Sequence, residues 1–156
     1  MYHNRTDESK PHLYLSWSRF PPRGWYKLEL VKNFRGIIPI LGVCMGIEVI
    51  AAAFGTKINH ANHLMHGETS LIQRTMSDPL LDGCPQTFTA ARYHSLVLDP
   101  QTLPPDFNIT SKTNDNNIMS ISNTPQKLFG VQFHPESIMT PSAVGDRIID
   151  NFLKIK

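Results

Sequence analysis

A cysteine with glycine on both sides, in Gly42-Val43-Cys44-Met45-Gly46, is the first place in this sequence where chemistry is expected. Gly-x-Cys-x-Gly is the cysteine counterpart of the Gly-x-Ser-x-Gly nucleophile elbow. In that elbow a strained strand-to-helix turn tolerates only small neighbours and lifts the nucleophile clear of the backbone. A helix starting behind the thiol brings free N–H groups and the positive end of its dipole, and both favour a thiolate. A buried structural cysteine between strand and helix is the competing reading. The base that such a thiol needs is supplied by Phe133-His134-Pro135-Glu136. In an extended chain residues i and i+2 point the same way, so His134 and Glu136 leave their strand on one side, with Pro135 fixing the backbone between them. A carboxylate beside an imidazole holds its tautomer and stabilises its charged form, which completes a nucleophile, base and orienter set. A satisfied structural histidine is the alternative. Two smaller features carry less. His60-x-x-His63-x-x-His66 has spacing that suits a metal, yet no carboxylate or cysteine stands nearby, and coincidence accounts for it better. Cys84, in Asp82-Gly83-Cys84-Pro85, has neither elbow nor partner and reads as a plain loop cysteine.

The elements that must position these groups are legible in outline. Leu13-Tyr14-Leu15 reads as a short strand, and Leu28, Leu30, Val31 and Phe34 mark an amphipathic helix stopped at Gly36. The apolar run Ile37 to Val43 suits a buried strand, and Ile47 to Phe54 a buried helix ended by Gly55. Strand, helix, strand, helix, with one strand apolar throughout, predicts an α/β fold built on a mostly parallel central sheet flanked by helices. Its site is expected at the carboxyl ends of the strands, where Cys44 stands. Further strands are expected near Thr69 to Gln73, Phe88 to Arg92, Asn108 to Lys112, Ile118 to Ser122 and Leu128 to Phe133. A closing helix over Ser142 to Leu153 is expected to pack on the sheet.

Composition narrows the partners. With 156 residues, 40% of them hydrophobic, the chain is one domain's worth. A net charge of +2 with scattered Lys and Arg leaves no basic stripe for nucleic acid. Pro39, Gly42, Gly46 and Glu48 interrupt the one stretch apolar enough to resemble a membrane span. Two cysteines cannot build a disulfide framework, the polar opening residues are unlike a signal peptide, and a reducing cytoplasm fits best.

Four ordered motifs then carry a resemblance: Leu41-Gly42-Val43-Cys44-Met45-Gly46, Met65-His66-Gly67, Tyr93-His94-Ser95-Leu96, and Gly130-Val131-Gln132-Phe133-His134-Pro135-Glu136-Ser137-Ile138. In order and spacing they resemble the class I (triad) glutamine amidotransferases. The likeness is closest to the glutaminase subunits of anthranilate synthase and aminodeoxychorismate (para-aminobenzoate) synthase, and it runs from about Leu28 to the C-terminus. The resemblance implies Cys44 as nucleophile, with His134 and Glu136 completing the triad. It implies a backbone N–H of Met45 in the oxyanion hole, and Ser95 and Leu96 holding glutamine through their backbone. It also implies ammonia passed to a chorismate-using synthase subunit, with no metal or organic cofactor on this chain.

Three departures from the family pattern bear on activity. Ile47-Glu48 stands where the family usually carries histidine and a substrate-contacting glutamine. Glu48 lies four residues after Cys44 on the expected helix and so faces the same pocket. A carboxylate there disfavours a thiolate and removes an amide donor. The family's first strand and helix have no counterpart in the twelve residues before Leu13, so the domain is expected to be N-terminally truncated. Its Pro-Gly-Pro-Gly loop, which supplies an oxyanion N–H, is replaced by the anomalous segment Trp17 to Trp25, two tryptophans and a phenylalanine among prolines and arginines. A partner-binding loop is one way to account for it. The favoured one is translation out of frame, because an allowed back-translation of Ser16 to Tyr26, read one base on, spells Pro-Gly-Pro-Gly. A gene whose wobble bases spell otherwise would remove that hypothesis. Three functional readings therefore stand: an active glutaminase subunit, an impaired or inactive remnant that at most binds a partner, and a stand-alone cysteine hydrolase.

Overall fold

The computed structural model describes residues 11–15 and 25–156. The anomalous segment and the polar start lie outside the described residues, apart from the backbone of Trp25. In chain order the elements are β1 (Leu13–Leu15), α1 (Trp25–Phe34), β2 (Ile40–Val43), α2 (Met45–Ala53), β3 (Ile58–His60), β4 (Glu68–Arg74) and β5 (Thr87–Arg92). There follow β6 (Leu96–Leu98), β7 (Asn108–Lys112), β8 (Ile118–Asn123), β9 (Leu128–Val131) and α3 (Ser142–Lys154).

All four residues of β2 are buried, as a strand covered on both faces must be. It has a parallel neighbour on each edge: β1, with Leu13 opposite Ile40, and β9, with Gly42 opposite Gly130. Successive side chains point to opposite faces, and the core divides accordingly. Ile40 and Leu128 pack with Val31 of α1 and Ile47 and Ile50 of α2. Leu41, Val43, Phe129 and Val131 pack on the other side with Val144, Ile148 and Phe152, the buried stripe of α3. The α/β expectation and the three helices are thus found where the apolar patterns put them.

The sheet itself is mixed. Among the described residues parallel pairing is confined to β1, β2 and β9, and beyond β9 the strands β8, β7, β4 and β5 follow in antiparallel order. A mostly parallel sheet was expected, and connection length accounts for the difference. A parallel return needs a crossover of roughly a dozen residues or more. The first half of the chain has room for such helices, whereas 113–117 and 124–127 leave room only for turns between β7, β8 and β9. A separate antiparallel pair, β3 with β6, was not foreseen; at three residues each, the two strands carry too little alternation to be read.

Two glycines make the helix-to-sheet approach possible. A Cβ on Gly46 would lie 2.1 Å from the Leu15 carbonyl oxygen, and one on Gly130 would lie 2.6 Å from Ile47 Cγ1. The start of α2 therefore rests directly on β1 and β9, and the residue immediately before that helix is Cys44.

Candidate active site

Cys44 occupies the turn between β2 and α2 with φ 55° and ψ −106°, a conformation that costs a non-glycine residue on the order of 1–3 kcal/mol. The Cys44 N–H donates to Val131 O at 2.8 Å, which ties the elbow to the end of β9. A Cβ on Gly42 would lie 2.4 Å from the Gly46 backbone, so the tight fold-back around the cysteine needs the first glycine as well as the second. Met45 is the first residue of α2, and its N–H is among the first-turn groups that lack an intrahelical partner.

The second side of the site comes from the end of β9. His134 and Glu136 are brought together as expected: Nδ1 of His134 lies 2.6 Å from Glu136 Oε1, with both side chains mostly buried. That bond leaves Nε2 free on the side of Cys44, which stands close enough to His134 to act on its charge. Burial alone would lower the histidine's pKa, but Cys44 and Glu136 outweigh it and raise it from 6.5 to about 9. At neutral pH His134 is therefore an imidazolium.

The backbone around this histidine is clamped. His134 N–H donates to Ala91 O at 2.9 Å, and the Thr140 hydroxyl donates to His134 O at 2.7 Å while accepting from Ala91 N–H at 3.0 Å. A Cβ on Gly145 would lie 2.1 Å from Pro135 O, so the first turn of α3 presses on the peptide between the two side chains. The Tyr93 ring stands edge-on to His134, with centroids 5.2 Å apart. None of Thr140, Gly145 and Tyr93 was assigned a role from sequence, since clamps of this kind join segments far apart in the chain.

Glu48 faces the site, as its spacing from Cys44 suggested. It is 8% exposed, and Gln132 Nε2 lies 3.3 Å from its Oε1 and 4.0 Å from Cys44 Sγ. Burial raises the Glu48 pKa, and the Gln132 bond opposes that rise. Gln132 was missed in the sequence. Its signal was present, because it is a polar residue inside the apolar run Leu128 to Phe133.

Ser95 lies in the turn between β5 and β6, and Leu96 opens β6. The Ser95 carbonyl accepts from Ala61 N–H at 2.8 Å, and the Leu96 carbonyl lies 2.8 Å from His94 Nδ1. Nε2 of His94 accepts from Arg92 Nε at 2.9 Å, so this histidine is neutral, its pKa pushed down by burial to about 4. His94 thus holds the turn that carries Ser95 and Leu96. Cys84 is 5% exposed in the core beside Leu81, and its thiol pKa is raised by burial. It is a core cysteine at the end of a turn rather than a plain loop cysteine. Among the described residues no group of three or more His, Cys, Asp or Glu side chains is placed to hold a metal ion, and no helix is long and apolar enough to cross a membrane.

The two histidines make opposite contributions to pH-dependent stability. His134 has a folded pKa above its ordinary 6.5, so its contribution is complete below pH 6.5 and is lost as pH rises to about 9. His94 has a folded pKa below 6.5, so stability is lost as pH falls from 6.5 toward about 4. Melting temperature is expected to peak near pH 6.5. His134→Gln should flatten the alkaline side alone; an unchanged alkaline slope in that variant would contradict the assignment.

The family described as glutamine amidotransferase class-I matches residues 22–155. The bifunctional protein TrpGD of Thermotoga maritima is 43% identical over 136 residues, covering 87% of this chain and 23% of its own length. The aminodeoxychorismate/anthranilate synthase component 2 of Bacillus subtilis is 42% identical over 134 residues, covering 86% of this chain and 68% of its own. The chain thus spans under a quarter of the bifunctional relative and about two thirds of the single subunit. The crystal structure of a glutamine amidotransferase from Thermotoga maritima superimposes with a TM-score of 0.70 at 16% identity, over 98% of this chain and 65% of that one, a likeness of fold. A family match over most of the chain, together with relatives at 42% and 43% identity, means that this chain belongs to the class-I glutamine amidotransferase family.

Proposed function

We propose that this chain is the glutaminase subunit of a chorismate-using synthase, of the anthranilate or aminodeoxychorismate type, and that it acts through Cys44, His134 and Glu136. One observation carries the reading. An imidazole beside the elbow cysteine, held by a carboxylate at 2.6 Å, stands at the carboxyl ends of adjacent parallel strands. The Cys44 sulfur attacks the side-chain amide carbon of glutamine, and the developing oxyanion is stabilised by N–H groups that include that of Met45. The His134 imidazolium gives its proton to the departing nitrogen, which leaves as ammonia, while Glu136 keeps the ring oriented. Water, deprotonated by the now neutral His134, cleaves the thioester to glutamate, and Cys44 leaves as the thiolate beside the re-formed His134 imidazolium. Ser95 and Leu96 hold the glutamine, and the ammonia passes to the synthase subunit. The component 2 relatives support the partner class.

Glutamate release from glutamine, measured with and without a chorismate-using synthase subunit, tests this reading. Release that rises with the partner is the expected result. The second reading, an impaired remnant, is favoured by the buried Glu48 carboxyl, which shares Gln132 Nε2 with Cys44, and silence in every arm would establish it. Hydrolysis of other amides without a partner would support the third reading, a stand-alone cysteine hydrolase.

A further inference from the structure

Gln132 is fully buried, and its backbone N–H donates to Met119 O at 2.8 Å. The strand's own pairing thus needs nothing from the side chain. The amide Nε2 has two N–H groups, and its acceptors are Glu48 Oε1 at 3.3 Å and Cys44 Sγ at 4.0 Å. The amide oxygen is buried with no hydrogen-bond partner among the described residues. Turning the amide over would set that oxygen against both the carboxylate and the sulfur, so the observed orientation is the one an ionised Glu48 requires. An unsatisfied buried carbonyl costs about 1–3 kcal/mol, which indicates that the N–H side of the amide is what the site uses.

We propose that Gln132 is a positioning residue of this site, an amide that holds the Glu48 carboxyl and thereby sets the charge felt by the Cys44 sulfur. The inference rests on Cys44 being the reactive group. With Gln132 present, a Glu48 carboxylate has an N–H to bond; without it, no donor stands between the buried carboxylate and the sulfur that share this amide, and each negative charge disfavours the other. The other titratable groups around the pair, among the described residues, are His134, beside Cys44, and Glu136 behind it. From the β5 side, His94 interacts electrostatically with both His134 and Arg92.

Alkylation of Cys44 by iodoacetamide at pH 8, followed on the Cys44 peptide by mass spectrometry, reads the sulfur without glutamine turnover. It can therefore fail or succeed independently of the glutaminase assay. Gln132→Met keeps much of the volume and removes both N–H groups. It is expected to slow alkylation about tenfold, the scale of one hydrogen bond to a charged group. In a Glu48→Leu background the same substitution is expected to change the rate less than about twofold, since only the long 4.0 Å contact with the sulfur remains to be lost. The pH profile adds a readout that packing would not move. A Glu48-dependent inflection should shift to higher pH in Gln132→Met, which loses a bond to the charged form, and should vanish in Glu48→Leu. Equal slowing in both backgrounds would reduce Gln132 to a packing residue, and no slowing in either would show that the amide does not act on the sulfur. Either result overturns the proposal. Gln132→Asn, which draws the amide back by one methylene, serves as the second variant in the same comparison if Gln132→Met does not fold.

Discussion

Cys44→Ser is expected to lower glutaminase turnover on the order of 10⁴-fold or more, the scale seen when a member of a catalytic triad is removed. A serine hydroxyl is far less ionised than a thiol at neutral pH and cannot replace it as the nucleophile. Because serine is close in size and the site is already polar, the melting transition should stay near that of the unsubstituted chain. Cys84→Ser should behave in the opposite way. That residue packs in the apolar core, so a hydroxyl there is expected to cost about 1–3 kcal/mol of stability while leaving kcat/KM of the folded protein intact. Turnover and thermal melting of the two variants side by side separate the roles. Equal loss of turnover at both positions would mean that the elbow cysteine is not special.

Gly46→Ala is expected to have the next largest effect, and it acts through the backbone. The added Cβ would meet the Leu15 carbonyl oxygen at 2.1 Å, a contact with main chain that no side-chain rotation relieves. The start of α2 must then move away from β1, at an expected cost of about 1–3 kcal/mol. Cys44, which immediately precedes α2, moves with it. A displacement on the order of 1 Å in a reacting group typically costs about 10²-fold in rate. Gly55→Ala is the control: that residue has φ +90° and open space around it, so alanine there should strain the turn and lower the melting temperature without altering turnover of the folded protein. A Gly46→Ala protein with unchanged melting and turnover would contradict this packing of the elbow.

The elbow was legible because few arrangements besides a tight strand-to-helix turn require glycine at both i−2 and i+2 of a cysteine, and the close contacts at Gly42 and Gly46 are the physical form of that requirement. His134 and Glu136 were legible for a similar local reason, since alternation along an extended chain sets their side chains together. Glu48 stood out as a departure from the family pattern, and helical spacing set it toward the cysteine. What the sequence could not disclose was long-range. Thr140 joins His134 to Ala91, and Gln132 meets Glu48 across 84 positions of chain, so neither has a local pattern. The antiparallel half of the sheet was misjudged for a related reason. Alternation along these strands marks where they lie but not their direction, which depends on the short connections 113–117 and 124–127. Cys84 looked like a loop residue because its neighbours are turn formers, although the turn folds its side chain into the core beside Leu81.

The central claim, that Cys44 is the nucleophile of a glutamine-hydrolysing site, is tested most directly by covalent capture. A glutamine analogue carrying a diazoketone in place of the side-chain amide alkylates a nucleophile only where glutamine itself would bind. The expected result is a single adduct, located on Cys44 by peptide mass spectrometry, that forms more slowly in the presence of excess glutamine and is absent from Cys44→Ser. An adduct on Cys84, or none on a folded protein whose Cys44 still reacts with iodoacetamide, would contradict the claim.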